Sequence, residues 1–278
     1  NSSPLDMDGH HIYIKDGDTV WNPGWQPTKT PLDRYTCRHG LGYTVIEGEK
    51  NGVAAAQELF VPKGDACELD RLTLQNHTDA VKELDVFGYV EFCLWDAIDD
   101  SSNFQRNFST GEVEVEPGVI YHKTEYRERR DHYAVFWSDT PVTSFDTTRD
   151  AFCGVYGGPA DPEAVRAGHC SGSIAHGWAP VGALHIHVTL APGEEKKILF
   201  GLGYIENPQD EKFTAPGVIN KARAHAMISR YATSAQVDAA RKALADHWEA
   251  LLSTYHLESS EEKLDRMVNI WHQYQCMV

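Results

Sequence analysis

In the segment LDVFGYVEFCLW, residues 84–95, an apolar or small residue stands at every second position. Because successive side chains of a β-strand point to opposite faces, these residues share one face of a strand. They are Leu84, Val86, Gly88, Val90, Phe92 and Leu94. The pattern predicts a half-buried β-strand that packs one face on a core.

A polar stretch, DAIDDSSNFQRN at residues 96–107, follows this strand directly. It carries carboxylates, amides and a guanidinium, and the aromatic residues Trp95 and Phe104 accompany them. Such groups suit sugars, since amides and charged groups bond hydroxyls while rings stack on C–H faces. A loop held by a rigid sheet is a common place for function. From the residues alone, an ordinary solvated loop stays open as the alternative.

Strand patterns continue on both sides of this segment, and they predict a large antiparallel β-sandwich over residues 1–215. The dipeptide Asn51-Gly52 predicts a tight hairpin turn, and the Gly-, Ala-, Pro- and Ser-rich segment 154–177 predicts a long loop. The other predicted strands are Ile12–Ile14, Tyr35–Glu47, Val53–Val61, Leu69–Leu74, Glu112–Glu116, Val119–Lys123, His132–Trp137, Leu184–Leu190 and Lys196–Ile205.

After Pro216 the apolar period changes from 2 to 3.6, which predicts a helical linker over residues 216–278. Thr233 and Gln236 form a capping box before an apolar stripe made by Val237, Ala240, Leu244, Trp248, Leu251, Leu252 and Tyr255. Ser259 and Glu262 are expected to cap a second helix, whose predicted inner face is Leu264, Met267, Val268, Trp271, Tyr274 and Val278. This helix carries no stop signal, so we expect a further domain after Val278.

The composition restricts the class of protein. The chain has 278 residues, 41 acidic against 25 basic, and a formal net charge of −16, which argues against nucleic acid or anionic membranes as partners. No apolar run approaches the roughly 18 residues of a membrane span. The six cysteines fit no zinc spacing, and we expect a cytoplasmic protein with free thiols, which are buried at Cys93 and Cys276.

Three further motifs have competing interpretations. The loop VWNPGWQP, residues 20–27, is either a hydrophobic plug at one end of the sandwich or a carbohydrate platform, and the residues leave both open. Glu112, Glu114 and Glu116 share one strand face, which favours a solvated face over a glycosidase acid–base pair. The pairs His10-His11 and His185/His187 do not predict a metal site.

Several long motifs together resemble cellobiose phosphorylases, which belong to the inverting disaccharide phosphorylases of glycoside hydrolase family 94. The resemblance covers essentially the whole chain, and its motifs are RHGLGY (38–43), FCLW (92–95), NFQRN (103–107), residues 121–136, EKLDRMVNIW (262–271) and QYQCMV (273–278).

The resemblance implies a β-sandwich, two linker helices leading to an (α/α)6 barrel, and a homodimer. It also implies a reaction in which inorganic phosphate cleaves cellobiose to α-glucose 1-phosphate and glucose. Phosphate is a substrate there, and no metal or organic cofactor is expected. The catalytic aspartic acid and the phosphate ligands lie in the barrel, so no residue of this chain is expected to be catalytic.

The resemblance further implies that one loop of the sandwich reaches the active site of the neighbouring subunit. The matching residues here are Asn103, Gln105 and Arg106, with Asp96 at the mouth of the loop. Many relatives carry asparagine at the position of Asp96. The alternatives are a free-standing carbohydrate-binding module, a scaffold for dimer contacts, or a sister phosphorylase for cellodextrins, chitobiose or laminaribiose.

Overall fold

A computed structural model describes residues 9–92, 111–124, 131–177 and 179–277. The described strands, in chain order, are β1 (His10–Asp16), β2 (Thr19–Trp21), β3 (Arg34–Gly40), β4 (Tyr43–Lys50), β5 (Val53–Phe60), β6 (Cys67–Asn76), β7 (Lys82–Glu91), β8 (Gly111–Glu116), β9 (Val119–Thr124), β10 (His132–Ser138), β11 (Ser144–Thr148), β12 (Pro180–Leu190), β13 (Glu195–Glu206), β14 (Phe213–Ala215) and β15 (Val218–Ile219).

The strands form two large antiparallel sheets. One has the order β11-β12-β7-β1-β2, the other has the order β3-β4-β5-β6-β13-β10-β9-β8, and β14 pairs with β15 in a small ribbon. The mainly antiparallel β prediction is confirmed. The larger sheet has eight strands with edges at β3 and β8, and the smaller sheet has five strands with edges at β11 and β2.

The main core lies between the sheets. Strand β7 contributes Leu84, Val86 and Val90 to it, and Phe92 follows directly after the strand, opposite residues such as Phe200 of β13. The predicted shared face is therefore confirmed as far as Phe92, and Leu94 lies outside the described residues. Burial of this apolar surface stabilises the domain at roughly 25 cal/mol per Å².

The prediction that β7 is half-buried is wrong, because its second face is covered too. Phe87 and Tyr89 are fully buried in a separate cluster with Phe152 and Val165. The cover is the segment 149–177, which we call the covering segment. It holds the short helices Arg149–Cys153 and Glu163–Ala167, and the second of these lies within the predicted loop 154–177. Strands covered on both faces read as nearly continuous apolar runs.

Helices cover the outer face of the larger sheet. They are Ala222–Ser229 and the long helix Ser234–Leu252, whose N-cap is Thr233 as the capping box predicts. Val237 and Leu244 of the stripe are buried. Arg71 on β6 bonds Glu58 at 2.6 Å and Asp238 of the long helix, so an ion-pair network fixes the helix to the sheet.

The last helical stretch consists of Glu262–Arg266, a π-helical segment Met267–His272, and Gln273–Met277. Its cap is Glu261 rather than Ser259, because the Glu261 side chain accepts from Lys263 N while Ser259 Oγ donates to Asp265. The predicted inner face is wrong at Leu264, Met267 and Trp271, which are about half exposed, whereas Val268 and Tyr274 are partly buried.

Of two turns between strands of the larger sheet, the sequence pattern predicts one and misses the other. Asn51 and Gly52 have φ of 52° and 76°, so the predicted hairpin turn is confirmed. The single strand predicted over Tyr35–Glu47 is in fact β3 and β4, joined through Leu41 and Gly42. Gly42 has φ +75°, and a Cβ there would lie 2.9 Å from Trp248 Nε1.

Within the described ranges, none of the helices is both long enough and apolar enough to cross a bilayer. The five described cysteines are free thiols; Cys67, Cys153 and Cys170 are buried, whereas Cys276 is exposed, against the expectation of a buried thiol there.

Candidate functional site

The predicted site residues Asp96, Asn103, Gln105 and Arg106 lie outside the described residues. The structure describes the strands on either side of them. Strand β7 runs to Glu91 in the middle of the smaller sheet, and β8 starts at Gly111 at the edge of the larger one. The end of the sandwich beside Phe92 is therefore the described surface nearest in sequence to the predicted site.

A pocket of about 460 Å³ opens at this end, and we call it the sandwich-end pocket. Its walls are mostly apolar, with carboxylates and a phenol at the rim. The lining residues are Val61, Ala66, Cys67, Glu68, Val90, Glu91, Phe92, Ala134, Leu202, Gly203 and Tyr204. Two ring stacks flank it: Phe92 on His122 at 5.1 Å and Tyr204 on His132 at 5.5 Å. This size and lining are those of a small-molecule site.

A histidine and two carboxylates lie against this pocket and connect the two sheets. His10 of β1 places Nδ1 3.1 Å from Glu68 Oε1 and Nε2 3.4 Å from Asp70 Oδ2, both on β6. Gln57 donates to Asp70 Oδ2 at 2.7 Å. Asp70 Oδ1 is buried and has no hydrogen-bond partner within the described part of the chain.

This arrangement favours the protonated forms of His10 and Asp70. Burial opposes the charge on His10, but Glu68 and Asp70 outweigh it and raise the pKa of His10 above its ordinary value. Burial also raises the pKa of Asp70 to about 6, against the opposing effects of His10 and Gln57. Both groups bind protons more tightly in the folded state, so their contribution to stability is present at low pH and is lost as pH rises through the folded-state pKa values.

We expect Asp70→Asn to remove much of this pH dependence. Between pH 4 and pH 8 the variant should gain about 2 kcal/mol in free energy of unfolding relative to the parent protein, because a buried carboxylate no longer ionises. Urea unfolding at several pH values measures this difference. Asp79→Asn, at an exposed carboxylate, is the control, and a constant difference between Asp70→Asn and the parent across this range would contradict the assignment.

A second concave surface, the hairpin–helix groove, lies between the β3–β4 turn and the last helical stretch. It has a volume of about 520 Å³ and is lined by His39, Gly40, Leu41, Gly42, Arg266, Ile270, Trp271 and Tyr274. Two of the sequence motifs, RHGLGY near the start and EKLDRMVNIW near the end, meet here. Sequence reasoning did not predict this contact, because nothing in the local pattern pairs residues more than 200 positions apart.

The structure also brings together Ser144, His185 and Asp85, on three neighbouring strands. Ser144 Oγ lies 2.9 Å from His185 Nδ1, and His185 Nε2 lies 3.0 Å from Asp85 Oδ1. This is the hydrogen-bond order of a nucleophilic triad, and sequence reasoning missed it. However, His185 is buried against Phe87 at 4.5 Å, and Ser144 Oγ accepts from Cys170 N at 3.0 Å. These three hydrogen-bonded residues therefore attach the covering segment to the smaller sheet.

Two other predicted motifs have structural partners. His187 contacts Asp85 and Glu83, both at 2.9 Å, and in the described ranges no group of three or more potential ligands is placed to hold a metal. The solvated face predicted for the glutamates of β8 is wrong at two positions. Glu114 accepts from Ile219 N at 2.6 Å, and Glu116 accepts from His225 Nε2 at 2.8 Å.

Comparison with known proteins covers nearly the entire chain. The glycosyl hydrolase 94 supersandwich domain matches residues 1–234, and the catalytic domain of the glycosyl hydrolase 94 superfamily matches residues 247–278. The N,N'-diacetylchitobiose phosphorylase of Vibrio proteolyticus is 32% identical over 99% of this chain and 33% of that protein. Its counterpart from Vibrio furnissii is 32% identical over 98% of this chain and 33% of that protein.

The solabiose phosphorylase of Paenibacillus borealis is 36% identical over 66% of this chain and 24% of that protein. The chain thus spans about a third of the length of the curated relatives that it matches along its whole length. The match to the supersandwich domain covers well over half of the chain, and it agrees with the two packed antiparallel sheets. The chain therefore belongs to the glycosyl hydrolase 94 family, with a supersandwich domain over residues 1–234 and a match to the catalytic domain over residues 247–278.

Proposed function

We propose that this chain is the N-terminal sandwich and linker of a phosphorylase that cleaves a β-linked disaccharide with inorganic phosphate and inverts the anomeric configuration. The observation that carries this proposal is the order of the two family matches, supersandwich and then catalytic domain, along one chain. The relatives named above are disaccharide phosphorylases, which supports sugar and phosphate as the substrates.

The proposed reaction displaces one sugar by phosphate. A phosphate oxygen forms a bond to the anomeric carbon while the bond from that carbon to the bridging oxygen breaks, and an acid gives the leaving oxygen its proton. The acid belongs to the catalytic domain, so we assign no catalytic residue to this chain. No metal or organic cofactor enters the proposed step.

We propose that the sandwich supports this reaction from outside the reacting atoms. In a homodimer, the stretch with Asp96, Asn103, Gln105 and Arg106 would contribute to the partner's active site, where amide and guanidinium groups bond distal sugar hydroxyls. Such a contribution helps to keep water away from the anomeric carbon, since hydrolysis competes with phosphorolysis. Strand β7 ends at Glu91, just before this stretch in sequence, and Glu91 and Phe92 line the sandwich-end pocket.

Arg106→Ala tests this role in the intact enzyme. We expect kcat/KM to fall by about 10- to 100-fold, because a positioning contact to the substrate is lost. Arg166→Ala, which removes an exposed guanidinium on the covering segment, is the matched control. Unchanged kinetic constants for both the disaccharide and phosphate in Arg106→Ala would contradict the role.

Two disaccharides are candidates for the substrate. The motifs that resemble cellobiose phosphorylases favour cellobiose, whereas the names of the two Vibrio relatives favour N,N'-diacetylchitobiose. An assay of the intact protein on cellobiose, N,N'-diacetylchitobiose, solabiose and laminaribiose, with and without phosphate, distinguishes them. Phosphate-dependent release of a sugar 1-phosphate from any of them supports the proposal. Equal release of reducing sugar without phosphate would contradict it.

We also propose the boundaries 1–215 for the sandwich and 216–278 for a helical linker into the catalytic domain, with other parts of that domain packed on the half-exposed Leu264, Met267 and Trp271. The free thiols support a reducing compartment, and we propose the cytoplasm.

The second candidate function is a non-catalytic carbohydrate-binding module, which the sandwich-end pocket supports. The catalytic-domain match over 247–278 favours the enzyme instead.

A further inference from the structure

The two tryptophans of the loop at residues 20–27 have opposite environments. Trp21 is fully buried in the main core, so it is the hydrophobic plug. Trp25 is 43% exposed. The two interpretations that the sequence leaves open therefore apply to different residues, and the exposed indole requires its own explanation.

The backbone of this loop holds Trp25 in a conformation that tryptophan rarely adopts. Its φ is +68°, in the left-handed region that favours glycine. Trp25 N donates to Asn22 O at 3.0 Å, and Lys29 N donates to Trp25 O at 2.7 Å. A bulky residue kept in a strained backbone while its ring faces solvent indicates that the position of the ring matters.

Buried contacts outside the turn fix the loop in place. Asn22 is buried; its Nδ2 donates to Ile12 O at 2.6 Å, and its Oδ1 accepts from Thr28 N at 3.1 Å. The backbone of Pro23 lies so close to Gly48 that a Cβ there would be 2.7 Å from Pro23 O. The loop is therefore built on β1 and β4 and presents a pre-oriented ring.

A second exposed ring lies beside this loop. Tyr35 is 53% exposed and is the direct partner of Gly48 across β3 and β4. Directly paired residues point to the same face of a sheet, so Tyr35 is on the face of β4 that carries Pro23. Strand β3, which carries Tyr35, is an edge strand of the larger sheet. We call Trp25 and Tyr35, with the exposed Gln26 and Lys29, the edge platform.

We propose that the edge platform is a carbohydrate-binding surface that takes the flat face of a β-linked glucan chain. The equatorial substituents of a β-glucosyl ring leave C–H groups on both faces, and these stack on indole and phenol rings. Gln26 and Lys29 supply hydrogen bonds to the hydroxyls at the rim. On the proposed function, on which this inference rests, the edge platform would hold a longer glucan near the enzyme.

Native electrophoresis of the intact protein through gels that contain soluble mixed-linkage β-glucan tests the proposal. We expect the polysaccharide to retard the parent protein, and Trp25→Ala to raise the apparent dissociation constant at least tenfold. Trp25→Phe should keep part of the retardation. Tyr156→Ala, at a fully exposed ring on the covering segment, is the matched control and should migrate like the parent.

Trp25→Gly separates binding from folding. Glycine relieves the backbone strain, so its Tm should equal or exceed that of the parent protein while the retardation is lost. Phosphorolysis of the disaccharide should be unchanged in all these variants. If the parent shows no phosphorolysis, the proposed function fails while the gel still reports on the platform.

A parent protein that the glucan does not retard would overturn the proposal. Retardation of Trp25→Ala equal to that of the parent would also overturn it. Light scattering on the same variants tests the other possible occupant of the platform, a second copy of the chain. A Trp25→Ala variant that changes its oligomeric state but not its retardation would identify the platform as a contact between copies of the chain.

Discussion

Gly88→Val is expected to destabilise the domain by more than about 3 kcal/mol. Gly88 lies in the middle of β7 and faces the core between the sheets, and a Cβ there would be 2.6 Å from the ring of Phe200. That ring is fully buried and stacks on Phe136 at 6.1 Å, so it has no free space to move into. The backbone at Gly88 is ordinary extended strand, and the expected effect is therefore steric.

Urea unfolding measures the loss, and Gly158→Val is the matched control because a Cβ at Gly158 meets nothing within 4 Å. The double variant Gly88→Ala with Phe200→Leu extends the test. If the clash is the cause, the two substitutions together should cost less than the sum of their separate effects. Additive effects, or a Gly88→Val variant as stable as Gly158→Val, would contradict this account of the core.

Asp146→Ala is expected to cost about 3 kcal/mol and to loosen the cover of the smaller sheet. The buried carboxylate of Asp146 accepts from Ser171 N at 3.1 Å, from Ser171 Oγ at 2.6 Å and from Ser173 N at 3.0 Å. Its removal leaves these donors without their acceptor. Since the covering segment protects Phe87 and Tyr89, binding of a hydrophobic dye and proteolytic cleavage within residues 154–177 should both increase.

Asp146→Asn keeps one carbonyl acceptor and should lose about half as much stability. Asp161→Ala removes an exposed carboxylate from the same segment and serves as the control. A Tm of Asp146→Ala within about 2 °C of the parent protein would show that the carboxylate does not hold the cover.

The alternation of residues 84–92 is sufficient to predict strand β7 and its core-facing residues, because a period of two has one structural meaning. The same pattern did not predict the burial of Phe87 and Tyr89. Their cover comes from a segment that starts about 60 residues later and whose composition is that of a loop. Burial on the second face is a tertiary property, and local periodicity carries no information about it.

The turn between β3 and β4 was missed for a related reason. Residues 35–47 have strand-forming side chains on both sides of Leu41 and Gly42. A glycine within a strand pattern can also indicate a bulge, so Gly40 and Gly42 alone did not identify a turn. The structure explains Gly42 through its positive φ and the approach of Trp248, which belongs to a helix more than 200 positions away.

The candidate site was predictable only through long motifs. Single residues such as Asn103 or Arg106 have the same chemistry in any solvated loop, so their proposed role depends on family resemblance and stays a prediction. By contrast, the proximity of His10 to Asp70 and the difference between Trp21 and Trp25 follow from the packing of the two sheets and of the loop against them. Such features become visible only when the sheets are assembled.

We propose that this chain is part of an inverting disaccharide phosphorylase. The most direct measurement is an NMR time course of the intact protein with phosphate and a β-linked disaccharide, in which the first sugar 1-phosphate formed is assigned as the α or the β anomer. The account predicts the α anomer, with no turnover when phosphate is omitted. Formation of the β anomer, or release of free sugars at the same rate without phosphate, would contradict it.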